Sequence, residues 1–339
     1  MAYVKLNKNA LLHNLEIISK KAGDRDKVAL VLKDNAYGHG LLEIASLSKE
    51  FGIKRAVVRN LFEAKRVEGF FDYILVLADI PQEITPFHFT INSLEDIAKF
   101  PKGSKVELKV DTGMHRSGIL PKELKEAFLL IKKQKLDLKG VFTHYRSADE
   151  LSSELFWQQK NFEDVKNESL RLCKEFGFEK PLFHSCNSAA LFRLNEFSDD
   201  FARVGIAAYG YLEIDEVFDK PELKPVLSLW AKRISKRELK KGERVGYGGV
   251  FEAEKDLVLS TFDVGYADGF FRLDGTQEYV LPKGNKVAGR VSMDSMSVLC
   301  DEEEICIIDN AKIPASFFDT ITYEILVKLS PFLKREVVS

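Results

Sequence analysis

Cysteine is scarce: Cys173, Cys186, Cys300 and Cys306 are the only four in 339 residues, and none falls in the paired spacing of a zinc site. Four thiols in so long a chain do not make a disulfide scaffold, so they read as free, and no metal centre is expected. Long apolar runs are missing as well. No stretch approaches the roughly 18 residues that a membrane span needs, and the opening Met1-Ala2-Tyr3-Val4-Lys5-Leu6 lacks a signal peptide's apolar core. Neither sign of charge is in excess, because 50 Lys and Arg face 52 Asp and Glu for a net charge of −2. Partners such as nucleic acid or an acidic membrane surface are therefore not expected. The basic run Lys232 to Lys241 reads as a solvated strand and turn rather than a phosphate site. There is no internal repeat and no low-complexity tract. A cytoplasmic enzyme is then the default expectation.

The apolar pattern predicts two domains, one of barrel size and one of about a hundred residues. Asn7 can cap an amphipathic helix reaching Ile18. Eight β-type runs follow before residue 210, most separated by helical stretches: Val28 to Leu32, Arg55 to Val58, Tyr73 to Leu77, Phe87 to Ile91, Val106 to Val110, Gly140 to Thr143, Leu182 to His184 and Phe201 to Gly205. Eightfold alternation predicts an α/β fold, a (β/α)8 TIM-type barrel. Past Pro221 and Pro225 the pattern becomes that of a mainly antiparallel β domain, with runs at Val226 to Ala231, Leu257 to Val264, Val287 to Arg290, Ser297 to Cys300 and Ile305 to Ile308. The boundary near Leu223 divides the chain into 1–222 and 223–339.

Polar residues gather where the barrel runs end. Val28 to Leu32 is apolar at both parities, as a strand covered on both faces requires, and it delivers Lys33 into the polar loop Asp34-Asn35-Ala36-Tyr37-Gly38-His39-Gly40. Lys109 and Asp111 stand at the fifth run, His144 after the sixth, His184 at the seventh and Arg203 in the eighth. The catalytic groups of a barrel come from several strand ends on its C-terminal face, so one mouth collects all of these. A lysine there can form a Schiff base with an aldehyde cofactor and act as a base once burial and nearby positive charge lower its pKa.

The stretch Lys33-Asp34-Asn35-Ala36-Tyr37-Gly38-His39-Gly40 resembles the pyridoxal-phosphate lysine motif of bacterial alanine racemases, K-A-N-A-Y-G-H-G, departing only at Asp34. The likeness runs nearly end to end. Leu108 to Gly118 resembles L-K-V-D-T-G-M-[GH]-R-L-G, Thr143-His144 the T-H motif, His184 to Ala189 the H-x-x-N-S-A loop, and Arg203 to Gly210 R-x-G-I-x-x-Y-G. Beyond the barrel, Val245 to Gly248 resembles V-[SG]-Y-G, Gly265 to Gly269 G-Y-A-D-G, and Gly289 to Asp294 G-R-V-[SC]-M-D.

The resemblance implies an isomerase that interconverts L- and D-alanine with pyridoxal 5'-phosphate as cofactor, works as a homodimer and supplies D-alanine for peptidoglycan. In that pattern Lys33 carries the cofactor as an internal aldimine and is one base, while Tyr247 of the partner subunit is the other. Tyr37, Asn187, Ser188, Gly205 and Ile206 belong to the phosphate, His144 to the pyridine ring, and Arg203, supported by His184, to the ring nitrogen. Arg116 serves the cofactor's phenolic oxygen and the substrate carboxylate, which Met293 also meets through its backbone amide, and Tyr266 lines the substrate's way in. Lys109 matches a lysine that many members carry as a carbamate, although Lys109 and Asp111 also read as an ordinary ion pair. Pro331 stands where many members have a tyrosine that touches phosphate, which implies weaker cofactor retention. A racemase of broader amino-acid scope and a non-catalytic pyridoxal-phosphate carrier are the alternatives, and the second domain argues against the carrier.

Overall fold

The computed structural model describes residues 2–339. Its first strand, β1 (Tyr3–Asn7), precedes the eight barrel strands β2 (Val28–Val31), β3 (Arg55–Val58), β4 (Tyr73–Val76), β5 (His88–Ile91), β6 (Lys105–Lys109), β7 (Asp137–Phe142), β8 (Leu182–His184) and β9 (Ala202–Val204). These eight form one sheet in the order β8-β7-β6-β5-β4-β3-β2-β9, and every ladder in it is parallel. Between β8 and β9 the ladder is replaced by two backbone hydrogen bonds, Asp200 N to Phe183 O and Arg203 N to Cys186 O, each 2.9 Å. The sheet is thus a nearly closed barrel. Val28, Ala29, Leu30, Val106, Leu108 and Val141 are wholly buried, so the apolar runs lie beneath the helices that connect the strands. No helix of the described residues is long and apolar enough to cross a membrane.

Contacts divide the chain into two units. One is the barrel, Leu11–Ala36 with Ile44–Lys224; the other takes the chain up to Ala10, Tyr37–Glu43 and Pro225–Ser339. By contacts, the chain up to Ala10 and Tyr37–Glu43 thus join the C-terminal residues, and sheet pairing gives the reason for the first. The second unit contains β10 (Leu227–Leu239), β11 (Arg244–Val245), β12 (Phe251–Glu252), β13 (Leu257–Phe262), β14 (Met296–Val298), β15 (Glu304–Ile308) and β16 (Lys334–Val338). There β1 runs antiparallel to β10, with Val4 opposite Leu229, and parallel to β16, with Val4 opposite Arg335. Leu6 is consequently a strand residue. The helix begins at Lys8, with Asn7 accepting from Ala10 N at 2.8 Å as its cap.

The other pairs, β10 with β13 and β15 and β13 with β14, are antiparallel. The basic run is the outer half of β10 and its turn, ion-paired through Arg233 and Lys236 to Asp301 and through Lys240 to Asp256. The expected strand Val287 to Arg290 contributes only one bridge, Val287 to Val298. Gly289 stops it: its φ is +76°, and a Cβ there would lie 2.9 Å from Val245 O. All four cysteines are free and buried.

Candidate functional site

Lys33 follows Leu32 at the C-terminal end of β2 and is half-buried. The chain then makes a left-handed turn, with φ of 55° at Asp34, 57° at Asn35, 53° at Ala36 and 52° at Tyr37. Such a turn costs an L-residue about 1–2 kcal/mol per position, and Asp and Asn tolerate it best. Hydrogen bonds hold it in place. Ala36 N donates to Leu32 O at 2.8 Å, and Asn35 N donates at 3.2 Å to the buried Glu63, which also accepts from Arg59 N. Asp34, the one departure from the resembling motif, pairs with Arg59 at 3.0 Å.

Four cations surround the mouth of the barrel. Lys109, the last residue of β6, is 9% exposed and donates to Ser117 Oγ at 2.6 Å. Burial, with the charges of Arg116 and Arg203 nearby, lowers its pKa to about 8 against the pull of Asp111. Asp111 turns its carboxylate to the amides of Gly113 (2.9 Å) and His115 (3.0 Å) and lies 3.3 Å from the His115 ring. Its amide bonds outweigh the effect of burial and hold it below the usual carboxylate range. The reading of Lys109 and Asp111 as a simple ion pair gives way to this geometry, since each has its own close partner. His144 follows β7. Burial and the charges of Arg203, Arg116, Lys109 and Lys33 press its pKa well below 6.5, which keeps the imidazole neutral.

Arg203 on β9 is buried and donates four hydrogen bonds, to His184 O (3.0 Å), Thr143 O (2.6 Å), Ser185 O (3.1 Å) and His184 Nδ1 (2.5 Å). The support expected of His184 is therefore direct. Near Arg203, Asn187 caps the helix Ser188–Arg193 through Ala190 N at 2.9 Å, and Ser188 Oγ accepts from Gly205 N at 3.2 Å and Ala207 N at 3.4 Å. Ile206 lies between these two amides. The two glycine- and serine-bearing stretches thus meet, as an amide and hydroxyl cradle for an anion requires.

The second unit assembles the other motifs. Tyr247 sits in the Gly246 to Gly249 turn between β11 and β12 and is 68% exposed, Tyr266 is 39% exposed and Met293 55%. Tyr266 N bonds Ser292 O and Ala267 N bonds Met293 O, so the Gly265 to Gly269 and Gly289 to Asp294 stretches are joined backbone to backbone. Tyr37 is buried, its ring 5.9 Å from that of Tyr323. Gly38 follows at φ +78°, where a Cβ would stand 2.0 Å from Leu326 O, so only glycine fits. This close approach is why Tyr37–Glu43 groups with the C-terminal unit. Arg335 completes the loop by donating to the carbonyls of Gly38, Ser330, Pro331 and Leu333.

The donor set fits pyridoxal phosphate: an amine at a strand end, a buried guanidinium, a neutral imidazole, and a cradle of amides and a hydroxyl at one barrel mouth. Arg335 and Glu107, which reaches the site through His184, were not singled out from sequence. For Glu107 a signal existed, because Lys105, Glu107 and Lys109 alternate with buried Val106 and Leu108, and an alternating strand in a barrel marks a polar interior.

The lowered pKa of Lys109 has a consequence for stability. Between about 8 and the ordinary lysine value the unfolded chain keeps a proton that the folded protein has released, so stability rises with pH across that window. Lys109→Met is expected to flatten that rise, measured as denaturant midpoints of both proteins at a series of pH values. An equal slope in the two would count against it.

The family profiles match in the same order as the units. "Alanine racemase, N-terminal domain" covers residues 6–213 and "Alanine racemase, C-terminal domain" residues 226–337. An alanine racemase of Nitratiruptor sp. is 54% identical over 335 residues, 99% of each chain. The crystal structure of Bacillus anthracis alanine racemase with bound L-Ala-P superposes with a TM-score of 0.89 at 29% identity, covering 100% of this chain and 95% of that one. A histidine racemase of Leuconostoc mesenteroides superposes at 0.85 with 26% identity, covering 100% and 98%. Matched along both units in sequence and in fold, this chain belongs to the alanine racemase family.

Proposed function

We propose that Lys33 and the partner subunit's Tyr247 are the two bases of the reaction this family catalyses, the pyridoxal-phosphate-dependent interconversion of L- and D-alanine. The observation that carries the reading is the convergence of Lys33, Lys109, Arg116, His144 and Arg203 on one barrel mouth, where His144 feels the charge of all four cations. When bound there, the cofactor supplies the electron sink that acidifies the hydrogen on the α-carbon.

The residues of the chain do the rest. Lys33 Nζ would hold the cofactor in the resting protein and, once the substrate amine has taken its place there, be free to take or return the α-proton on one face of the substrate; the Tyr247 hydroxyl would do the same on the other. Exposure of Tyr247, Tyr266 and Met293 on the second unit suits a site completed by a second copy of the chain. Arg116 offers a planar pair of donors to the substrate carboxylate, joined by the Met293 amide, and Tyr266 lines the path in. Tyr37, Ser188 and the amides of Gly205 and Ile206 hold the phosphate, with Asn187 shaping the helix start. Neutral His144 faces the ring without adding charge.

Arg203 would lie at the ring nitrogen of a bound cofactor. A guanidinium there gives up no proton, which would limit how much charge the cofactor draws off and favour return of the proton to the α-carbon. Lys109, lowered to about 8, presents enough neutral amine to take up carbon dioxide, and the resulting carbamate turns a cation beside Arg116 into an anion that orients it. Native mass spectra in bicarbonate should show one added carbon dioxide per chain, absent in Lys109→Met; an unmodified wild type would remove the carbamate from the account.

A broader amino-acid scope is the second reading, favoured by one finding, that a histidine racemase shares the whole fold. We place the activity in the cytoplasm, supplying D-alanine to peptidoglycan. The decisive experiment is α-proton exchange of D- and L-alanine in deuterated water with wild type and Tyr247→Phe. Wild type should exchange and racemise both enantiomers, and the variant should lose mainly the L-alanine side, by roughly a hundredfold or more, the scale of a lost proton-transfer group. Equal loss on both sides, or none, would remove Tyr247 as a base.

A further inference from the structure

Beneath Arg203 the barrel interior holds an ionised carboxylate that no part of the reaction described above uses. Glu107 on β6 is wholly buried. Its Oε1 accepts from the Tyr73 hydroxyl (2.5 Å) and His88 Nδ1 (2.7 Å), and its Oε2 accepts from His184 Nε2 (2.7 Å). The opposite nitrogen of His184 faces Arg203. Together these residues make one chain, Arg203 to His184 to Glu107, anchored by donors from β4 and β5.

The backbone is shaped around this carboxylate. The β6 and β7 register slips between Val106 and Glu107, leaving Lys139 opposite no partner, and the next residue of β7 is Gly140. A Cβ on Gly140 would meet Glu107 Oε2 at 2.6 Å. A bulge and a glycine at the same point are the devices by which a strand admits a side chain that an even ladder would exclude. His184 is clamped flat as well, stacked between Phe142 at 4.6 Å and Phe201 at 4.3 Å.

Direction along the chain is fixed by chemistry. Arginine only donates and an ionised carboxylate only accepts. His184 can satisfy both only as the neutral ring with its hydrogen on Nε2 and a lone pair on Nδ1. Burial and the charge of Arg203 push the ring's pKa down to about 4 despite Glu107, in keeping with that form, and the hydrogen bonds from His184 and His88 hold Glu107 far below the ordinary carboxylate range in spite of its burial.

We propose that Glu107 is a positioning residue for the racemase site: through the fixed tautomer of His184 it sets the direction in which Arg203 presents its one remaining N–H, on Nε, and balances the charge of Arg203 inside the barrel. This rests on the assignment of Arg203 to the cofactor's ring nitrogen. A carboxamide at 107 cannot keep the arrangement. If it turns its NH2 toward His184, the ring must present a hydrogen to Arg203, donor against donor. If it turns its oxygen there, Arg203 still loses the balancing charge.

The test is Glu107→Gln, with two readouts: the dissociation constant of pyridoxal phosphate, followed by absorbance, and the fraction of turnovers that end in pyridoxamine phosphate instead of racemised alanine. An Arg203 no longer held in line leaves the ring nitrogen open to protonation by water, which favours that side reaction. Both the dissociation constant and the side-product fraction are expected to rise, each by roughly ten- to a hundredfold, the scale of losing a bond to a charged group behind a site. A variant that is less stable yet matches wild type in both readouts would make Glu107 a structural residue only and overturn the proposal. Should Glu107→Gln fail to fold, Tyr73→Phe, which removes one donor and keeps the carboxylate, must shift both readouts in the same direction by a smaller factor; no shift overturns it equally. Failure of the underlying racemase reading would look different, because wild type itself would then neither bind the cofactor nor racemise alanine.

Discussion

A guanidinium buried in the neck of a barrel imposes conditions on everything around it. Arg203 carries its charge out of reach of water, so its donors need acceptors, and three backbone carbonyls and one imidazole take four of the five, leaving the one on Nε. Those carbonyls belong to Thr143, His184 and Ser185, at the ends of the sixth and seventh barrel strands, which fixes where the strand ends must lie. Burial first, and then this charge, keeps His144 and His184 neutral, and burial with the charges of Arg116 and Arg203 lowers the pKa of Lys109. Burial and a cation that cannot lose its proton thus act together on the titratable groups of the mouth.

The lysine loop answers a different constraint. It leaves the strand on Lys33, turns left-handed for four residues and reaches Gly38, whose neighbour Leu326 O leaves no room for a side chain. Strain of this kind persists only where surroundings over-determine it, and here Glu63 grips the turn while Arg335 and the Leu326 carbonyl fix the residues beyond it.

Much of this was legible in the sequence, and the physics says which part. The eight barrel runs are short, apolar and locally specified, so all but one appear to within a residue or two, the sixth strand beginning at Asp137 and not at Gly140, and Lys33, Lys109, His144, His184 and Arg203 stand in or just after them. Pairings between distant segments were not legible. Tyr3–Asn7 becomes a strand only because Leu227–Leu239 and Lys334–Val338 lie on either side of it, and nothing within five residues announces that. Val287 to Arg290 reads as a strand until the φ of Gly289 and its approach to Val245 are seen. Glu107 stood in plain view as a charge in an apolar run, but its meaning depends on Gly140, His184, His88 and Tyr73, contributed by four other strands.

The most direct test of this electrostatic account is a pH titration of the protein with its histidine ring nitrogens labelled with nitrogen-15. His184 should remain neutral, with its hydrogen on Nε2, until about pH 4, and His144 should remain neutral at pH 6.5 and below. If either ring titrates at the ordinary histidine value of about 6.5, burial beside the charge of Arg203 does not govern the mouth of the barrel, and the account fails at its base.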